Sequence, residues 1–552
     1  MNLTPVMQDT HTAVGGVQPG VAGTADPAPQ AKPGLVAFVG TGPGDASLLT
    51  LRGAELLGQA DLIIGGPELT CQLAHLLPGA ATIIDPAEAP GDAGVLITAA
   101  RAGQLAVRLC PGDPLLFGQA AGEAEECAEA AVRWEIVPGV PAATAVPAYA
   151  GMPLTSDAVG DVRIVHAADV SRVSTDGHGP SSLVILGAEA GPVDLAKMLM
   201  AAGWGDTTPM AITWNGTTTD QHTVLTKLSS VQADLKAAGI SVLTEDGPAV
   251  AVVGEAAAHQ RLSWFESKPL FGWRVLVPRT KEQAASVSDR LRSYGAVPQI
   301  VPTIAVEPPR APQQMERAIK GLVTGRYQWI AFTSANAVRA VREKLEEYGL
   351  DARAFAGIKV AAVGEQTAAA LAEFGIRADL VPEGEQSSEG LAAAWPPYDD
   401  VLDPINRVLL PRADIATETL VARLTDLGWE AEDVTAYRTV RAAPPPAPIR
   451  EAIKSGGFDA VLFTSSSTVR NLIGIAGKPH AVTAVAVIGP QTAQTAAEYG
   501  LRVDVTAPRP SATALVDALA EHGARLRAAA IAAGEPVRKP SERRRGARRR
   551  IR

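Results

Sequence analysis

The chain has 552 residues, 47% of them hydrophobic and only 4% aromatic, with a formal net charge of −10. That length exceeds what one hydrophobic core serves, so several Ala/Val/Leu-rich α/β domains are predicted. No uninterrupted apolar run approaches the roughly 18 residues that a membrane span requires.

Residues 1–33 contain no basic residue before Lys32 and read as a disordered tail, without the basic start and apolar core of a secretory signal. Cys71, Cys110 and Cys127 show no CxxC spacing, and the eight histidines do not cluster. This argues against a metal site or a disulfide framework, predicts a reducing cytoplasm, and makes each cysteine a small buried apolar residue. The last fifteen residues, from Arg538, hold nine Arg or Lys and one Glu. No aromatics are interleaved, so the run reads as a solvated basic appendage rather than a nucleic-acid contact.

In chain order, Gly34-Leu-Val-Ala-Phe-Val39 is a strand, Gly40-Thr-Gly-Pro-Gly-Asp45 a glycine turn, and Leu48 to Leu57 a helix. A second such crossing runs from Leu105-Ala-Val-Arg-Leu109 through Pro111-Gly-Asp-Pro114 into an acidic helix. A third runs from Trp134-Glu-Ile-Val137 through Pro138-Gly139 into a helix over 142–150. Glycines just past a strand let backbone approach a ligand. Asp45 and Asp113 could accept from loop amides or from ligand hydroxyls. The turn lacks the full GxGxxG order, which excludes a Rossmann dinucleotide reading.

The blocks Val39-Gly-Thr-Gly-Pro-Gly-Asp45, Gly112-Asp-Pro-Leu-Leu-Phe-Gly118, Pro138-Gly-Val140 and Pro147 to Thr155 occur in order, followed by Gly216-Thr217 and Pro248 to Glu255. In this combination residues 34–266 resemble uroporphyrinogen-III C-methyltransferase of the tetrapyrrole methylase family. The resemblance implies two α/β lobes with S-adenosylmethionine in the cleft between them. It would be held by Gly42, Pro43, Gly44, Asp45, Gly112, Asp113, Leu116, Thr144, Ala145 and Leu186. The chain departs from that family at several places. Gly66 stands where an acid is usual, Ile84-Asp-Pro-Ala-Glu88 replaces a basic segment, and Ser156-Asp157 replaces His-Arg. The cradle is therefore mostly retained while acid/base and anion-binding groups are missing, so the domain either methylates uroporphyrinogen III to precorrin-2 or is degenerate, with altered specificity or a scaffolding role.

A composition break at 267–272 reads as a linker. Beyond it the sequence is doubled. Arg274-Val-Leu-Val-Pro-Arg279 returns as Arg407-Val-Leu-Leu-Pro-Arg412, and Phe332-Thr-Ser-Ala-Asn-Ala-Val-Arg339 as Phe463-Thr-Ser-Ser-Ser-Thr-Val-Arg470. Gly364-Glu-Gln-Thr-Ala368 returns as Gly489-Pro-Gln-Thr-Ala493. Each copy reads as strand, turn, helix, with Tyr327 to Phe332 and Phe458 to Phe463 as buried parallel strands. Hydroxyls at helix starts either cap orphan amides or leave them free for an anion, and these loops all fall on the carboxyl edge of their strands.

These blocks, with Ala436-Tyr-Arg-Thr439, resemble uroporphyrinogen-III synthase over residues 273–525. The resemblance implies two flavodoxin-like parallel lobes, 273–305 plus 440–525 and 306–439, joined by a two-strand hinge, with 526–552 as a basic disordered tail. It implies closure of hydroxymethylbilane to uroporphyrinogen III with inversion of the last ring and no cofactor. The upstream bilane-forming enzyme is a further candidate partner.

Tyr437 could assist departure of the hydroxyl, since its counterpart in the first copy is Ile304; otherwise it packs between the lobes. Thr333, Ser334, Thr367, Thr464, Ser465, Thr492 and the backbone at Gly364 and Gly489 would hold carboxylate arms. Arg279 and Arg412 either add charge there or sit in salt bridges. Two other readings remain open at this stage. One is methylation of a different tetrapyrrole, and the other is a two-lobed small-molecule sensor whose basic tail contacts nucleic acid.

Overall fold

The computed structural model describes residues 34–543, apart from 89–92, 119, 174–180, 241–246, 260 and 415–417. The expected tail over 1–33 and the arginines beyond Arg543 lie outside the described residues. The chain divides into two compact units, Met1–Leu262 and Ser263–Arg552.

The first unit contains two five-stranded sheets. In one, β1 (Leu35–Gly40), β2 (Leu62–Ile64), β3 (Thr82–Ile84), β4 (Leu105–Cys110) and β5 (Trp134–Val137) lie in the order β3-β2-β4-β1-β5. All neighbours in it are parallel. The other contains β6 (Asp161–His166), β7 (Ser181–Leu186), β8 (Pro209–Trp214), β9 (His222–Lys227) and β10 (Ala249–Val253), ordered β6-β7-β10-β8-β9. Only β6 and β7 are parallel in this second sheet. Because strand side chains alternate, β1 sends Val36 and Phe38 into one core and Ala37 and Val39 into another. The parallel sheet is thus buried on both faces.

The second unit also has two sheets. Its strands in chain order are β11 (Arg274–Val277), β12 (Val297–Ile300), β13 (Ile304–Glu307), β14 (Trp329–Phe332), β15 (Lys359–Ala362), β16 (Arg407–Ala413), β17 (Glu430–Arg441), β18 (Ala460–Phe463), β19 (Ala484–Val487) and β20 (Val505–Thr506). Lobe one has the order β12-β11-β18-β19-β20, and lobe two the order β13-β17-β16-β14-β15. In lobe one, Val275 and Val277 pack into one core and Leu276 into the other. In lobe two, Val408 and Leu410 split from Leu409 in the same way.

The duplicated strands are exchanged between the lobes. β11 and its repeat β16 open different lobes, yet β11 pairs with β18, from the second copy, and β16 pairs with β14, from the first. Each lobe is therefore completed by strands from both copies of the repeat.

The crossing is a short antiparallel ribbon in which Ile304 faces Arg441 and Glu307 faces Arg438. The Arg438 guanidinium donates to Glu307 at 2.6 Å and to the Pro308 carbonyl at 3.1 Å. β17 is longer than the expected 430–435, because the same strand serves lobe two and then the ribbon.

Two segments depart from the sequence reading. The 267–272 stretch is not a free linker: Leu270 is fully buried in the lobe-one core, and its amide donates to the Tyr294 carbonyl. Nor is the chain loose after 525. The final helix runs Ala512–Ala532, and Arg527 donates to the Glu266 carbonyl. Beyond it Pro540 is buried, Lys539 donates to the Gly272 carbonyl, and the Ser541 amide donates to Asp459 at 2.9 Å. Asp459 is itself buried between β11 and this strap, where it also accepts from the Arg274 amide at 2.8 Å. A buried carboxylate requires such partners. Among the described residues, no helix is long and apolar enough to cross a membrane.

Candidate functional site

In the first unit, the glycine turns meet one another at the carboxyl edge of the parallel sheet. The Gly42 amide donates to Gly112 and the Gly112 amide to Gly42, at 3.2 and 2.9 Å. A Cβ added at Gly139 would lie 2.0 Å from the Gly112 carbonyl oxygen, and one at Gly40 would lie 2.5 Å from the Gly139 amide. These glycines are required because three strand ends touch there backbone to backbone.

Asp45 and Asp113, predicted to bind cofactor, have their carboxylates engaged by protein. Asp45 accepts from Ser47 N at 2.9 Å and from the Tyr149 hydroxyl at 2.9 Å, and its own amide donates to Thr217 Oγ1. Burial, with Asp45 beside it, pushes the Tyr149 phenol up to about 12. Asp113 accepts from Leu115 N and Gly139 N at 2.9 and 3.1 Å. Gly44 packs against the Gly216 to Thr218 loop, where a Cβ would meet Thr218 at 2.7 Å. All three side-chain positions knit the turn together, a structural role that the spacing alone did not distinguish from ligand contact.

A cavity of about 760 Å³ opens beside this junction, at the ends of β2 and β4. Leu116 lines it; Pro43, Thr144, Ala145 and Leu186 do not. Ala145 is buried, whereas Thr144 is exposed and donates to the Pro141 carbonyl. Cys110 lines the cavity with its thiol pushed up to about 12 by burial. The sequence reading missed Arg108 and Glu123, which form an ion pair at 3.2 Å on the same wall. S-adenosylmethionine fits this place by volume, which lies within the range of small-molecule sites. Gly112 is outside the cavity lining, though a Cβ there would meet nothing nearer than 3.8 Å. Gly66 stands at the cavity with the exposed Glu68 two residues on. Cys71, expected to be buried, is exposed.

In the second unit, a cavity of about 540 Å³ lies against the hinge ribbon and is lined by Tyr437, Ile304, Thr280, Asn336 and Arg339. Tyr437 is nearly buried, and its hydroxyl lies 3.0 Å from Ser334 Oγ. Ser334 caps the helix Ala335–Glu347 by accepting from Ala337 N at 3.2 Å. With that acceptance made, Ser334 can give its proton to Tyr437, leaving the phenol proton free to donate into the cavity. A register shift between Arg412 and Ala413 bulges β17, so that Ala436 and Tyr437 are buried in succession. This breaks the period of two and re-aims the tyrosine. Asp414 fixes the segment further: its amide donates to the Tyr437 carbonyl and its carboxylate accepts from Thr439 N.

The two duplicated arginines separate. Arg412 is buried and held by both carboxylate oxygens of Asp433 in the adjacent strand, which removes it from the substrate-binding set. At the Asp433 register position, lobe one has Ile300. Arg279 therefore has no carboxylate partner among the described residues, and burial holds its guanidinium below its ordinary range.

The helix-start hydroxyls also divide. Thr367 and Thr492 are buried beneath their loops. Ser465 forms a reciprocal capping box with Thr468, a structural use, while Thr333 and Thr464 are half-buried. A Cβ at Gly364 would strike Gln386 at 2.6 Å, whereas at Gly489 it would meet nothing within 4 Å. Only the Gly489 turn offers open backbone.

Parallel lobes hinged around a buried phenol, with a glycine-knit two-sheet unit in the same chain, define a two-enzyme α/β fusion. Residues 285–517 match the family model for uroporphyrinogen-III synthase HemD, and residues 35–232 that for tetrapyrrole (corrin/porphyrin) methylases. The porphyrin biosynthesis protein HemD of Ruminiclostridium josui is 31% identical over 510 residues, covering 89% of this chain and 98% of that protein. The uroporphyrinogen-III C-methyltransferase of Bacillus subtilis is 29% identical over 372 residues, covering 64% of this chain and 75% of that protein. A crystal structure of uroporphyrin-III C-methyltransferase from Thermus thermophilus, complexed with S-adenosylhomocysteine, is 28% identical. It spans 40% of this chain and 93% of its own, with a TM-score of 0.32. The chain belongs to the HemD family, as a uroporphyrinogen-III synthase domain fused to an S-adenosylmethionine-dependent tetrapyrrole methylase domain.

Proposed function

We propose that the second unit closes hydroxymethylbilane to uroporphyrinogen III at the hinge cavity, with Tyr437 donating to the departing hydroxyl. The observation that carries this reading is Tyr437 on the cavity wall, its hydroxyl 3.0 Å from Ser334. Loss of that hydroxyl leaves an azafulvene cation, which the terminal pyrrole attacks at its substituted carbon. The resulting spiro intermediate fragments and recloses with the ring inverted. The protein's work is to fold the chain, hold its carboxylates and stabilise the leaving oxygen. Arg279 and the open Gly489 turn would take carboxylate arms, with Ser334, Thr333 and Thr464 assisting.

The first unit would hold S-adenosylmethionine at Gly112 and Leu116. Bound there, the cofactor supplies an electrophilic methyl group. Uroporphyrinogen III is the acceptor the fusion favours, because tethering raises its concentration at the next site. A cytoplasmic location and contact with the upstream bilane-forming enzyme belong to the same reading, and nucleic acid has no part in it. Incubation of the full chain with freshly made hydroxymethylbilane tests the synthase. The expected product is the type III isomer. Only the type I isomer, which forms spontaneously, would refute the assignment.

A further inference from the structure

The hinge cavity extends beyond the tyrosine along one stripe of the helix Ala335–Glu347, from Asn336 through Arg339 and Lys344. These cations differ in their state. Lys344 is tied to Glu347 at 3.0 Å and faces Glu316 at 3.5 Å. Arg339 is exposed, has no carboxylate partner among the described residues, and donates only to Asn336 Oδ1 at 3.3 Å. It stands five residues past Ser334, hence about 7.5 Å along the helix axis from the cap that holds Tyr437. A guanidinium steered by a neutral amide and lining the same cavity as Tyr437 is arranged for a planar anion. Three carboxylates also line the cavity: Glu307 is taken by Arg438 and Glu347 by Lys344, while Glu343, one turn past Arg339, is exposed.

We infer that Arg339, oriented by Asn336, is a carboxylate clamp that binds one acid arm of the ring nearest Tyr437. The clamp thereby sets specificity for the end of the chain that turns over. The inference rests on the hinge cavity being the bilane site. The repeat gives this residue no equal in function: its counterpart Arg470 is exposed on the lobe-one helix and lines no part of this cavity.

The test uses the full chain with Arg339→Ala and Arg339→Lys. Steady-state kinetics with hydroxymethylbilane should show KM raised about ten-fold by Arg339→Ala with kcat within about two-fold, the worth of one charge-assisted pair. Arg339→Lys should recover part of the loss, and the type I share of product should rise in the alanine variant. Both variants should melt with the wild type, since the side chain is exposed. In parallel, fluorescence titration with uroporphyrin III reads binding without turnover. A wild type that makes no type III isomer, but whose porphyrin binding weakens in Arg339→Ala, would sink the synthase reading and leave the clamp standing. Unchanged KM and unchanged porphyrin affinity in Arg339→Ala overturn the clamp.

Discussion

Lobe one and lobe two are built from the same repeat, and matched positions in the two lobes differ in what surrounds them. Arg279 lies two residues past β11, where Ile300 faces Val277, while Arg412 lies in β16, where Asp433 faces Leu410. Arg412 is paired with Asp433, and Arg279 has no carboxylate partner among the described residues. Gly489 is open, whereas Gly364 is covered by Gln386. Tyr437 occupies the place that Ile304 holds in the first copy, and both reach the same cavity from opposite strands of the ribbon. Duplication supplied two equivalent rims, and single-residue changes at matched register divided binding from support.

The comparison is sharpest at the tyrosine. Tyr437→Phe removes the one donor that lobe one lacks, so kcat should fall about 100-fold, the usual effect of losing a donor to a developing oxyanion. Stability should change by no more than about 1 kcal/mol, the Ser334 bond alone. An unchanged rate would make the tyrosine a packing residue.

Exchanging the matched pair comes next. Asp433→Ile gives lobe two the lobe-one arrangement and takes from the buried Arg412 its ion pair with Asp433. This should cost about 2 kcal/mol in urea unfolding, less than a fully buried pair because Asp433 is 41% exposed. The reverse change, Ile300→Asp, should neutralise Arg279 and raise KM several-fold without lowering the thermal midpoint. If Ile300→Asp leaves KM unaltered, Arg279 is not a substrate contact.

The smallest effect concerns pH. Lobe two contains no histidine between residues 306 and 439, whereas lobe one has His522 on its final helix. Burial, reinforced by Arg525, Arg543 and Arg502, holds that imidazole below its ordinary 6.5. The neutral form is the folded one, so this stability is complete above 6.5 and is lost as pH falls through the depressed value. His522→Gln should flatten the acid slope of the melting temperature between pH 7.5 and 5. A slope unchanged in that variant would assign it to other groups.

Much of this architecture was readable from the residues. Continuous apolar runs such as Ala460-Val-Leu-Phe463, within the stretch Phe458 to Phe463, mark strands buried on both faces, and the ribbon crossing falls where the second family resemblance puts it. What eluded the reading was lateral. That Arg412 is neutralised depends on Asp433, 21 residues away in sequence, lying on the neighbouring strand two register positions from it. Thr367 and Thr492 share a motif with open loop positions, yet the helix turn directs them inward. The 267–272 stretch has a linker's composition, and only the packing of Leu270 shows that it belongs to a core. Arg339 did leave a signal, since it closes a repeated block, but its freedom depends on which neighbours are acidic.

The strap at Asp459 has a consequence for how the protein is made. Lobe two is drawn from one uninterrupted stretch and can close as soon as β17 leaves the ribosome. Lobe one must wait roughly a hundred residues longer, until Ser541 emerges to meet a carboxylate already buried beneath it. A ribosome that stalls within the final helix therefore releases lobe two complete beside a lobe one that still lacks the strap over Asp459.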